Sequence, residues 1–73
     1  MARNINEAIS ILLNYRSDLV PEAYWVVNGR FVIKTAYDGE VGTNYYLIDG
    51  SKVIGTNPMR IDLDPREMKR ITR

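Results

Sequence analysis

The sequence predicts a small α+β domain: an N-terminal helix, two antiparallel β-hairpins plus a short strand forming a small sheet, and a short C-terminal helix. Three observations carry that expectation. Apolar residues recur at spacings of three and four near the start, β-branched and aromatic residues flank Asn28-Gly29, and Asp64-Pro65-Arg66-Glu67 has the form of a helix start.

The helix comes first. Asn4 followed by Glu7 resembles a capping box, in which the Asn oxygen accepts from the backbone N–H three residues on. Ile5, Ala8, Ile9, Leu12 and Leu13, with the stem of Arg16, then form one apolar stripe, so a helix is expected over residues 5–16. Ser17-Asp18 and Pro21 end it, because proline lacks the N–H and disfavours helical geometry in the residue before it.

The hairpins follow. Asn and Gly both tolerate positive φ, which makes Asn28-Gly29 a strong two-residue turn signal. Such a turn sets Val26 opposite Phe31, Tyr24 opposite Ile33, Trp25 opposite Val32 and Val27 opposite Arg30. One face is then Tyr24, Val26, Phe31 and Ile33, expected to be core. The other carries Ala23, Trp25, Val27, Arg30, Val32 and Lys34 and is half apolar. Residues 37–44 lack apolar periodicity and read as an acidic loop. Tyr45-Tyr46-Leu47-Ile48 and Lys52-Val53-Ile54 flank Asp49-Gly50-Ser51 as a second hairpin, broken by residues 55–58. Met59, Ile61 and Leu63 alternate with Arg60 and Asp62, which predicts a short strand. Asp64 then caps a terminal helix from Pro65 towards Arg73, anchored by Met68 and Ile71.

Composition bounds the chemistry. The 73 residues form a single domain, 1–73, with no histidine and no cysteine, which removes the commonest general base, the strongest ordinary nucleophile and the soft metal ligands. Neither Gly39 nor Gly42 has the spacing of a phosphate-binding loop. Asp38 with Glu40, and Asp62 with Asp64, are the available carboxylate pairs, but turn and cap roles account for them better than a hard cation does. A non-enzymatic binding protein is expected, with no catalytic residue, no metal, no cofactor and no small-molecule substrate. There is no membrane span and no secretion signal in the sequence, so a cytoplasmic location is expected.

Net charge is only +1, but it is unevenly placed. Asp38, Glu40 and Asp49 make the middle acidic, while Arg66, Lys69, Arg70 and Arg73 make the end basic. Trp25, Arg30 and Lys34 share one face of the first hairpin. Trp and Arg dominate interface energetics, so these three are the candidate protein-binding residues. The alternative is that Met68 and Ile71 of the terminal helix cover this face. Arg66, Lys69, Arg70 and Arg73 are the candidates to lie near nucleic acid.

With its length, the segments Asn4-Ile5-Asn6-Glu7-Ala8-Ile9 and Tyr24-Trp25-Val26-Val27-Asn28-Gly29, and the basic end Arg66-Glu67-Met68-Lys69-Arg70, the chain resembles the small early regulators that lytic Xanthomonas bacteriophages direct against host RNA polymerase. The resemblance implies a protein of the host bacterial cytoplasm that binds the polymerase β′ subunit near the RNA exit channel. It implies inhibition of σ-dependent initiation and suppression of termination, in concert with an elongation factor of the NusA kind, while the basic residues Arg66, Lys69, Arg70 and Arg73 can themselves supply a weak RNA contact. Two other functions suit the residues: a direct nucleic-acid-binding module, and a small inhibitor of a toxin or defence nuclease acting through the acidic loop.

Overall fold

In the computed structural model, which describes residues 4–36, 44–56, 61 and 63–71, one helix packs on one face of a five-stranded antiparallel sheet. Helix α1 spans Ile5–Tyr15. Asn4 caps it, its side-chain oxygen accepting from the Glu7 N–H at 3.0 Å. The helix closes one residue earlier than the periodicity suggests: Arg16 is the extended C-cap, and its guanidinium bonds the Asp18 carboxylate instead of continuing the stripe.

The strands are β1 (Pro21–Val27), β2 (Arg30–Thr35), β3 (Tyr45–Asp49), β4 (Lys52–Thr56) and β5 (Lys69–Arg70), in the order β4-β3-β2-β1-β5. Asn28 and Gly29 both have positive φ, 51° and 76°, the signature of a type I′ turn whose twist matches the strands it joins. The hairpin register is the expected one, from Val27 opposite Arg30 to Tyr24 opposite Ile33. A bulge follows, so that Pro21 faces Thr35 while Ala23 faces Lys34. The second hairpin turns at Gly50-Ser51, with Gly50 at φ 63°. Its β4 strand runs through Gly55 to Thr56, beyond the expected break. Gly55 lies opposite Tyr46 in the ladder.

The main core lies between helix and sheet. Ala8 and Leu12 from α1, Leu19, and Ile33, Tyr46 and Ile48 from the sheet are buried together, with Tyr24, Phe31, Val53 and Ile71 packed around them. Tyr15 stacks edge-on against Tyr46 at 6.4 Å between ring centres. Val26 departs from the expected core face and is 48% exposed. The opposite face is also buried at its centre: Trp25 is 5% and Val32 0% exposed.

The C-terminal region corrects the sequence-based expectation. No α-helix forms among the described residues after Asp64. Pro65–Glu67 makes a single 3-10 turn, and the chain then extends as β5, antiparallel to β1 with Ala23 opposite Arg70 and Tyr24 opposite Lys69. The cap was legible: Asp64 accepts from the Arg66 N–H at 2.9 Å, and proline occupies the first position. What followed was too short. A turn with no buried residue gains little against nucleation and yields to strand hydrogen bonding, here completed by the Ile71 N–H donating to the Glu22 carbonyl at 2.9 Å. Ile61 and Leu63 belong to no strand. Met59, Arg60 and Asp62 of the expected strand, residues 37–43 of the acidic loop, and Arg73 lie outside the described residues.

Candidate binding surface

The three residues expected to form one protein-binding patch keep their common face of the hairpin but differ in exposure, with Trp25 buried, Lys34 half-buried and Arg30 exposed. Trp25 is a core residue. Its indole N–H donates to the Asp64 carbonyl at 3.0 Å, and its ring lies 6.0 Å from that of Tyr45. The chain entering the 3-10 turn therefore crosses this face of the hairpin. Met68 and Ile71, the residues considered as its cover, do something else: Met68 is 38% exposed, and Ile71 packs against the helix-side core. Of the two readings of this face, the covered one describes Trp25, with the chain at Asp64 as the cover in place of Met68 and Ile71. Arg30 sits at the turn end of β2 and pairs with Asp49 across the sheet, Nε to Oδ1, at 3.2 Å. Both partners are well exposed, so this pair contributes little to stability.

Lys34 lies at the other end of β2, and there the fold brings basic residues together. Ala23 pairs with Lys34 on one side and Arg70 on the other, so both long basic side chains flank one small residue on the same face. They line a cleft of about 100 Å³ with Glu22 and Met68. Met68 also borders a second, larger groove of about 350 Å³, lined by Val26, Arg66, Glu67 and Lys69. One exposed methionine thus joins two depressions whose walls carry Lys34, Arg66, Lys69 and Arg70 against Glu22 and Glu67.

Within this surface Lys69 lies 6.0 Å from the centre of the Tyr24 ring, a cation–π approach made possible by their positions opposite each other on β5 and β1. Arg66 is almost fully exposed and forks onto the Asp64 carboxylate, with both contacts at 3.2 Å. The Arg66 side chain, then its backbone N–H, hold the Asp64 carboxyl below its ordinary value of 3.8. A depressed folded-state pKa adds stability that is complete above the unfolded pKa and lost as pH falls through the folded one. Asp64→Asn is therefore expected to make the unfolding midpoint less sensitive to acidification below about pH 4. Thermal melts at a series of pH values check this, and parallel curves for the two proteins would contradict it.

Sequence patterning placed Arg66, Lys69 and Arg70 of this surface together in the basic end and assigned Lys34 to a different site. It missed Val26 and Met68 as surface residues, because apolar residues at those spacings are ordinarily buried. Among the described residues no cluster of three or more His, Cys, Asp or Glu could hold a metal ion, and no helix is long and apolar enough to cross a membrane. The class defined by this architecture is a small α+β domain with one helix on a five-stranded antiparallel sheet. No protein-family model, no curated protein and no solved structure matches the chain.

Proposed function

We propose that this protein is a non-enzymatic transcription regulator that binds host RNA polymerase by surface contact. It engages the β′ subunit near the RNA exit channel, inhibits σ-dependent initiation and suppresses termination, together with a NusA-type elongation factor. The observation that carries this reading is the surface around Met68, where an exposed apolar centre is ringed by Lys34, Arg66, Lys69 and Arg70. An apolar centre with a charged, solvated rim is the anatomy of a protein interface. The choice of polymerase as partner comes from the resemblance of the helix, hairpin and basic end to the phage regulators.

The test is titration of labelled protein into bacterial RNA polymerase, with promoter-dependent transcription and terminator read-through measured alongside. Replacing Lys34, Arg66, Lys69 and Arg70 together with glutamine is expected to weaken the complex about tenfold, mostly through a slower on-rate, because rim charges steer encounter and add a few tenths to about 1 kcal/mol each. Unchanged affinity in a folded variant would remove this surface as the polymerase contact.

The same four cations favour a second reading, direct nucleic-acid binding. Salt separates the two, since log affinity for duplex DNA falls by about 0.9 per phosphate contact for each log unit of salt. A steep slope on DNA with no binding to polymerase would select the second reading.

A further inference from the structure

The 3-10 turn does more than carry basic residues: among the described residues it leaves a strand edge open. β5 pairs with β1 only at Ala23 and Tyr24. Continued in the same antiparallel register, Met68 and Glu67 would face Trp25 and Val26. Instead the chain turns back on itself, with the Met68 N–H donating to the Pro65 carbonyl at 3.4 Å and the Glu67 N–H to the Asp64 carbonyl at 2.9 Å. Among the described residues, no strand pairs with β1 beyond Tyr24 on this side. The type I′ turn makes Val27 and Arg30 a hydrogen-bonded pair, so alternation directs the backbone groups of Trp25 towards β2 and those of Val26 outwards. The groove of about 350 Å³ lies where the missing strand residues would be, between Val26 and the turn.

We propose that this groove is a β-augmentation site that receives an extended acidic peptide segment of the partner protein, which continues β5 along the free edge of β1 at Val26. The open edge offers about three residues, or roughly 10 Å of strand. Val26 and Met68 supply apolar contact, and Arg66 and Lys69 on the walls, with Arg70 just beyond, outweigh Glu67 and favour carboxylates. A peptide fits better than a nucleic acid. Its backbone donors and acceptors match the edge, whereas single-stranded nucleic acid needs open aromatic rings, and here Tyr24 is half-buried beneath Lys69 and Trp25 is buried. The proposal rests on the reading that the protein works by protein contact, and it assigns the surface and the chemistry of the segment bound there.

The experiment titrates isotopically labelled protein with a short peptide of alternating valine and aspartate, with its lysine counterpart, and with a short oligouridylate, reading amide shifts and hydrogen exchange. The acidic peptide is expected to shift Val26, Met68 and Lys69 and to protect the Val26 amide, and the lysine peptide to leave them unmoved. Met68→Glu and Val26→Glu, both at exposed positions, are each expected to weaken acidic-peptide binding about tenfold. Shifts elsewhere, equal binding of both peptides, or oligouridylate alone acting at these residues would overturn the proposal. Polymerase binding by the same variants separates this proposal from the reading beneath it. If wild type binds polymerase and Met68→Glu binds it equally, the groove is excluded and the polymerase reading stands. If wild type binds the acidic peptide at Val26 but not polymerase, the groove stands and the polymerase reading falls.

Discussion

Trp25→Ala is expected to lower the stability of the domain by about 3–5 kcal/mol, the range for removing a large aromatic side chain from a core. Proteins carry about 0.05–0.15 kcal/mol of stability per residue, so a chain of 73 residues has roughly 4–11 kcal/mol in all. The substitution therefore removes much or most of it. Three contacts are lost at once: the ring is 5% exposed between sheet and C-terminal chain, it faces the Tyr45 ring, and its N–H holds the Asp64 carbonyl. Trp25→Phe keeps most of the apolar volume and gives up the hydrogen bond, so a smaller loss of about 1 kcal/mol is expected. Urea denaturation followed by far-ultraviolet circular dichroism measures both, since Trp25 is the only tryptophan and the variants lack its fluorescence. An unchanged midpoint for Trp25→Ala would show the ring to be free on the surface and return it to the list of partner anchors. The predicted result has a functional corollary: if the proposed polymerase binding is lost in Trp25→Ala, the loss reports unfolding, and any interface has to be mapped at exposed positions such as Val26, Met68 and Lys69.

Leu12→Ala is expected to cost about 3 kcal/mol, within the range for a leucine truncated in a core that cannot fully collapse. Leu12 is completely buried, and with Ala8 it is one of the two helix residues fully enclosed against the sheet. Its removal leaves a cavity facing the core formed by Ile33, Tyr46 and Ile48. Ser10→Ala, on the exposed side of the same helix, is expected to change stability by no more than about 0.5 kcal/mol. Urea midpoints with an unchanged denaturant slope measure the difference. Equal midpoints for the two variants would mean that the helix is not anchored through Leu12. Because α1 packs on the sheet face opposite Trp25, Leu12→Ala and Trp25→Ala act on the sheet from its two faces.

How much of the architecture the residues disclosed follows from how local each determinant is. The helix start is set by Asn4 and Glu7, three residues apart, and the first hairpin by two adjacent residues with positive φ. Its register follows from the turn, since a two-residue loop leaves one pairing that keeps both strands in step. The Asp64 cap is equally local, and it forms. The candidate surface was less legible. Lys34 and Arg70 are 36 positions apart in the chain, and only the pairing of β5 with β1 places both beside Ala23.

Local residue patterns suffice for the α+β class, the N-terminal helix, both hairpins, the register of the first, and the concentration of basic residues near the end. These rest on interactions within a few residues, where propensity, turn geometry and capping act without reference to the rest of the molecule. Tertiary structure alone decided the fate of the segment after Asp64. A cap fixes where a helix can begin but not whether it continues, and the open edge of β1 offered residues 69–71 hydrogen bonds that a three-residue turn could not match. That same choice buried Trp25 beneath Asp64, exposed Val26 and Met68, and gathered Lys34, Arg66, Lys69 and Arg70 around them. The physical reason is range: which apolar face is covered depends on the chain segment that docks there, and that segment lies about forty residues away.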